Sequence, residues 1–168
     1  MNNRSVEKVV TKLSSRNKYL RGLCIFAARY LIMILAALLL GLIAWFSPTP
    51  LWSAAEVFGV LLITWGVTTL LQFLFARHRP FDSGIKPLIK PWIKSPSFPS
   101  GHSSISFAAA TYGTLFFPEW GIFLFPIAAI VAFSRLAVGV HYLSDIVVGS
   151  GFGVVVAISL KIMFNLGT

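Results

Sequence analysis

Acidic residues are almost missing from this chain. Only Glu7, Glu56, Asp82, Glu119 and Asp145 occur in 168 residues, against fourteen Lys and Arg, for a formal charge of +9. Charged residues make up 11% of the chain, less than half of the roughly 25% usual in soluble domains. A two-metal site needs several convergent carboxylates, and these five are scattered, which favours chemistry without a metal ion. Cysteine is as scarce. Cys24 stands alone, so no intrachain disulfide can form and the redox compartment cannot be read. A cleavable signal peptide is not expected, because the first 21 residues are polar and basic and the first apolar run has no clear small-residue cleavage site.

What is present is apolar. Hydrophobic residues are 57% of the chain and the mean hydropathy is +0.82. Apolar runs fall at about 22–46, 53–76, 103–118, 120–138 and 144–165, punctuated by Pro48, Pro50, Pro80, Pro99 and Pro118. Backbone polar groups cannot stay unpaired in lipid, so these runs are expected to be helices. The expected architecture is all-α: a single membrane domain over 1–168, a polytopic bundle of about five transmembrane helices. A basic segment over 1–21 precedes it. There Val6, Val9, Val10, Leu13 and Leu20 alternate with Arg4, Lys8, Lys12, Arg16 and Lys18, as in an amphipathic helix lying on a membrane, with a disordered basic tail as the alternative. A basic chain this apolar fits anionic lipid head groups better than nucleic acid.

The only long connection is 77–101. It carries Ile85-Lys86-Pro87-Leu88, Ile89-Lys90-Pro91-Trp92 and Ile93-Lys94-Ser95-Pro96, a period-four alternation of apolar anchors and cations in which proline opposes a regular helix. Lys86, Lys90 and Lys94 are candidates for attracting a phosphorylated head group at the interface; the plainer reading is a basic loop with no substrate role. Gly149, Gly151 and Gly153 in the last run read as close helix packing.

Three clusters carry chemistry. Ser134-Arg135 ends the fourth run, and His141 and Asp145 open the fifth. Spacing of four puts the His and Asp on one helical face. A carboxylate can then fix the tautomer of His141 and free its other ring nitrogen for attack. Arg135 offers a planar fork suited to phosphate. Pro99-Ser100-Gly101-His102 leads into the third run; a helix N-terminus there presents unpaired N–H groups to an anion, unless Ser100 is a simple cap beside an incidental His102. Arg77-His78-Arg79-Pro80 closes the second run. It reads as a phosphate clamp or as a basic membrane-edge stop, with His78 structural or solvent-facing. If five spans hold, all three clusters reach one side of the membrane.

These motifs resemble the type 2 phosphatidic acid phosphatase family, which shares its site with vanadium haloperoxidases. The family pattern is Lys-x6-Arg-Pro, Pro-Ser-Gly-His and Ser-Arg-x5-His-x3-Asp. The second and third match in full over about 53–165, and Arg79-Pro80 remains of the first. The resemblance implies His141 as nucleophile forming a phosphohistidine, Asp145 orienting it, and His102 as acid and base. It implies Arg79, Arg135, Ser100 and Gly101 around the phosphate, with no metal and no cofactor. Two departures stand out. Gln72 occupies the family's lysine position, for which Arg77 or a loop lysine is a candidate substitute. Only one full span precedes the helix that carries the Arg-Pro motif, where the family has two, so the N-terminal segment is expected to replace a helix.

The expected function is an integral-membrane lipid phosphatase acting on a phosphomonoester or diphosphate. The resemblance implies phosphatidylglycerophosphate, phosphatidic acid, undecaprenyl diphosphate or the 1-phosphate of lipid A as substrate. A lipid phosphotransferase needs the same residues. A transporter should carry ionisable groups deeper in its spans, and a non-catalytic binding protein would exploit the loss of lysine at Gln72. The expected location is a bacterial inner membrane. Every Lys and Arg except Lys161 falls on the site side, which the positive-inside rule would make cytoplasmic; the resemblance favours the extracytoplasmic side. Oligomeric state cannot be read.

Overall fold

The computed structural model describes residues 4–90 and 95–166. Six α-helices occur among them: α1 (Arg4–Arg16), α2 (Lys18–Phe46), α3 (Pro50–Phe75), α4 (Gly101–Phe116), α5 (Gly121–Ala137) and α6 (Leu143–Leu166), with short 3-10 turns at Pro80–Ser83 and Pro118–Trp120. The expected all-helical bundle is therefore present, and the helix boundaries follow local chemistry. Asn17 separates α1 from α2 and caps α2, its side chain accepting from the N–H groups of Tyr19 and Leu20. Pro50 occupies the first turn of α3, where its missing donor costs nothing.

Four helical stretches are long and apolar enough to cross a bilayer: Lys18–Phe46, Pro50–Asp82, Pro118–Ala137 and Leu143–Asn165. The expected third span, α4, has 16 residues. At 1.5 Å per residue it reaches about 24 Å, short of the roughly 30 Å hydrocarbon core. It is enclosed rather than lipid-facing, packed on α3, α5 and α6. Leu39, Val60, Tyr112 and Leu124 meet in the core around it. The outward faces of the longer helices are apolar, as Leu40, Phe58, Phe73, Ile130 and Val155 show, the surface a bilayer solvates.

Two of the three closely spaced glycines explain how α6 reaches α4. A methyl group on Gly149 would stand 2.8 Å from the Ser100 carbonyl oxygen, and one on Gly153 would collide with the Ser104 backbone. Gly151 departs from the packing expectation, since nothing lies within 4 Å of it. At the end of the bundle away from these contacts, Glu56, Tyr112 and Lys161 join α3, α4 and α6. The Tyr112 hydroxyl donates to Glu56 Oε2 at 2.9 Å and Lys161 Nζ does so at 3.4 Å.

The N-terminal segment is an amphipathic helix, as expected, and part of the face it docks on the bundle is polar. Glu7, Thr11 and Ser14 form its buried face, while Val9 and Leu13 point outward. Of its valines, Val10 packs inward, against Ala132, Leu136 and Ile146.

Candidate active site

Arg77, Arg79, the Ser100 cap and the α5–α6 connection converge at one end of the bundle. His141 sits in that connection, between Val138, the C-cap of α5, and Leu143, the start of α6. It is buried, with Nδ1 at 2.8 Å from the Ser97 carbonyl oxygen and 3.5 Å from Asp145 Oδ2. Both of these oxygens can only accept, so Nδ1 carries the proton. Nε2 then holds the free lone pair. Burial, with a smaller push from Arg79 and Arg135, drives the imidazole down to about 4 against the opposing pull of Asp145, so His141 is neutral at physiological pH.

Asp145 was expected to be the partner that orients this ring. It contributes at longer range, and the short contact belongs to a backbone carbonyl that spacing alone could not reveal. The Asp145 side chain is fully buried and already engaged: Oδ1 accepts from Arg77 Nη1 at 2.7 Å and Oδ2 from the Tyr142 N–H at 2.9 Å. Arg77 also donates to Ser144 Oγ at 2.8 Å and stacks over the Tyr142 ring at 4.2 Å. Arg77, weighed from sequence as a head-group cation or a stand-in for lysine, is thus committed to the carboxylate behind the candidate nucleophile.

Arg79 is buried at the foot of the 77–101 connection. Its Nε donates to the Ser95 carbonyl at 2.8 Å, Nη2 to Ser95 Oγ at 2.9 Å and Nη1 to the Val140 carbonyl at 3.3 Å. Among the described residues, three of its five donors have acceptors. Its guanidinium stays charged. Arg135 donates from Nη1 to the Ala28 carbonyl of α2 at 2.8 Å, and its buried Nε has no partner among the described residues. Both guanidinium groups and His141 are within electrostatic reach of His102.

Ser100 is fully buried and caps α4. Its hydroxyl oxygen accepts from Ser103 N–H at 3.5 Å and Ser103 Oγ at 3.0 Å, and its own N–H donates to the Asp145 carbonyl at 3.0 Å. The cap reading and the anion reading are compatible here. Ser100 aims the helix, and the N–H groups of Gly101 and His102, the first of α4, have no acceptor inside it. Gln72 is buried on α3, where its Nε2 donates to the Pro99 carbonyl at 2.9 Å. The residue at the family's lysine position therefore ties down the loop that enters α4.

In the connecting loop, Ile85 and Ile89 are buried anchors while Lys86 and Lys90 are exposed, in keeping with the period-four pattern. Leu88 N–H bonds the Val138 carbonyl at 2.9 Å. Lys94 lies outside the described residues. His78 is exposed. Among the described residues no three His, Cys, Asp or Glu side chains are grouped as a metal site would require.

Comparison with known proteins identifies the family of the chain. The sequence pattern of the PAP2 superfamily matches residues 53–167. The chain is 25% identical over 164 residues to an Escherichia coli (strain K12) protein named "Putative undecaprenyl-diphosphatase YbjG", covering 97% of this chain and 83% of that one. It is 30% identical over 107 residues to a lipid A 1-phosphatase of Rhizobium etli, covering 61% of this chain and 46% of the relative. Its fold matches the crystal structure of a transmembrane PAP2-type phosphatidylglycerolphosphate phosphatase from Bacillus subtilis, with a TM-score of 0.73 at 21% identity, over 97% of this chain and 84% of that one. The chain belongs to the PAP2 superfamily, and it is a multi-pass membrane protein of a lipid phosphatase family.

Proposed function

We propose that this protein hydrolyses a lipid phosphomonoester or diphosphate through a phosphohistidine intermediate, without a metal ion. The observation that carries the reading is the setting of His141: buried, with Nδ1 at 2.8 Å from the Ser97 carbonyl and 3.5 Å from Asp145 Oδ2, which leaves Nε2 as the free nitrogen. Nε2 attacks phosphorus in line and the bond from phosphorus to the leaving oxygen breaks. Burial, with Arg135, His141 and Arg79, holds His102 down at about 3 in the free site, so it takes up its proton as the anionic substrate enters, donates that proton to the leaving oxygen, and then takes one from the water that cleaves the phosphohistidine. Arg79, Arg135 and the first N–H groups of α4 hold the equatorial oxygens, where charge accumulates. The scattered acids and the lack of a grouped ligand set among the described residues support a metal-free route.

The substrate is a membrane lipid because the site opens from a bundle whose outer faces are apolar. The relatives named for undecaprenyl diphosphate, lipid A 1-phosphate and phosphatidylglycerolphosphate define the panel to try. Residues 1–168 act as one membrane domain in a bacterial inner membrane, with the site outside the cytoplasm. Exposed Lys86 and Lys90 attract the head group.

The test is phosphate release by the detergent-solubilised protein from that lipid panel, with and without chelator. Release that survives chelation and disappears in His141→Ala is expected. Near-normal release by His141→Ala would sink the assignment. A reporter fused to the C-terminus, opposite the site across an odd number of spans, reads the sidedness.

A further inference from the structure

We propose that Glu7 is a positioning residue, whose carboxylate holds the first turn of α6, and with it the His141 connection, in the register that the reaction needs. The kinetic part of this inference rests on the function proposed above. Glu7 is fully buried on an α1 whose neighbouring Lys8 and Val9 are exposed. Burying a carboxylate is costly unless it is hydrogen-bonded, and a half-turn rotation of α1 would have left it in water. Its Oε1 accepts from the Leu143 N–H at 3.1 Å, across 136 residues of sequence.

The acceptor sits at a sensitive place. A helix N-terminus exposes unpaired N–H groups and a positive dipole end. At α6 two successive N–H groups meet two carboxylates: Tyr142 donates to Asp145, and Leu143 donates to Glu7. Asp145 belongs to α6 itself and travels with it. Glu7 comes from another helix, so it anchors the turn to the rest of the protein. His141 precedes these two residues directly.

A second contact lies on the other side of His141. Thr11, one turn after Glu7 on the same face, donates to the Leu136 carbonyl at 3.5 Å. A methyl group on Gly139 would stand 3.2 Å from Thr11 Oγ1, and Gly139 has φ of +77°, a conformation few other residues adopt. Thus α1 touches the chain at 136, 139 and 143, on both sides of the candidate nucleophile. Val10 packs on Leu136 there, but a helix that merely filled space would add further apolar side chains rather than polar ones. This one buries Glu7, Thr11 and Ser14 and leaves Val9 and Leu13 outside.

The test measures hydrogen exchange over 138–146 and steady-state hydrolysis in nanodiscs for the full chain and its Glu7 variants. Glu7→Ala is expected to speed exchange in that segment and to lower kcat about tenfold with KM unchanged, as for a small displacement of a reacting group. Glu7→Gln retains an acceptor oxygen and should restore most of both. Lys8→Ala, on the outward face, should match the wild type. Wild-type exchange and kcat in Glu7→Ala, or a Glu7→Gln variant as impaired as Glu7→Ala, would overturn the proposal. Should Glu7→Ala not fold, Glu7→Asp keeps the charge but withdraws it by one methylene. A several-fold loss in kcat at constant KM is expected there, and a wild-type kcat would overturn it. If the wild type releases phosphate from no lipid, the proposed function fails, while the exchange of 138–146 still reads the role of Glu7.

Discussion

Arg77 Nη1 lies 2.7 Å from Asp145 Oδ1, pairing a partly exposed guanidinium with a fully buried carboxylate. The pair sits behind His141, whose Nδ1 is 3.5 Å from the other Asp145 oxygen. The Asp145 carboxylate is thus paired before any substrate arrives.

Removing that compensation should be felt twice. Arg77→Ala leaves a buried carboxylate without its ion-pair partner. The stability loss should be at most about 3 kcal/mol, since Arg77 keeps a third of its side chain exposed and water screens what remains. Turnover should fall with it, because Asp145 would swing toward other donors. Thermal unfolding and kcat of Arg77→Ala and Arg77→Lys measure this; the lysine should recover part of both. A wild-type melting temperature in Arg77→Ala would show that the pair contributes nothing.

The pH profile follows from His141. Its pKa in the fold, about 4, is below the ordinary 6.5. The neutral ring is the reactive form, so the limb of kcat/KM that reports protonation of His141 should lie near pH 4 rather than near 6.5. Stability shifts the same way. Between 6.5 and 4 the unfolded chain takes up a proton that the folded ring refuses, so acidification through that window favours unfolding. An acid limb centred near 6.5 in the free enzyme would contradict the buried, neutral nucleophile.

Gln72 separates structure from charge. Gln72→Leu leaves the Pro99 carbonyl buried without its donor, at a cost of about 1–3 kcal/mol. Gln72→Lys can keep that bond and brings a cation toward Gly101, whose Cα direction meets Gln72 Nε2 at 3.7 Å. The expected outcome is a melting temperature lowered in Gln72→Leu, and kcat/KM raised in Gln72→Lys. Unchanged kcat/KM in Gln72→Lys would mean that Arg79 and Arg135 already supply all the charge the phosphate uses.

The glycines give a stability contrast. Gly153→Ala drives a methyl group into the Ser104 backbone, and Gly151→Ala meets open space. The first should unfold at a lower temperature and the second should not, since alanine favours a helix by about 1 kcal/mol over glycine. Thermal shifts of the two purified variants decide it.

Much of this was readable from the chain because apolar runs broken by proline define helices in any order of reading. The Ser-Arg-x5-His-x3-Asp spacing likewise announces a turn between two of them. What escaped notice depended on contacts distant in sequence. The Ser97 carbonyl at His141 is main chain and leaves no mark in side-chain pattern. Glu7 is a lone acid among cations, which looks like a solvated charge until α1 is docked. Arg77 was read by charge alone, and its attachment to Asp145 required the fold to bring 77 beside 145. The third expected span, α4, is present as a 16-residue helix, shorter than the others and enclosed by them.

The carbonyl that holds His141 comes from Ser97, and any amino acid would bring one. No single substitution can delete it. The tautomer of the candidate nucleophile is therefore inherited with the path of the backbone, and it is insulated from drift at position 97. Asp145 and Arg77 have no such protection, so the tolerance of this site to mutation should be unequal around one imidazole ring.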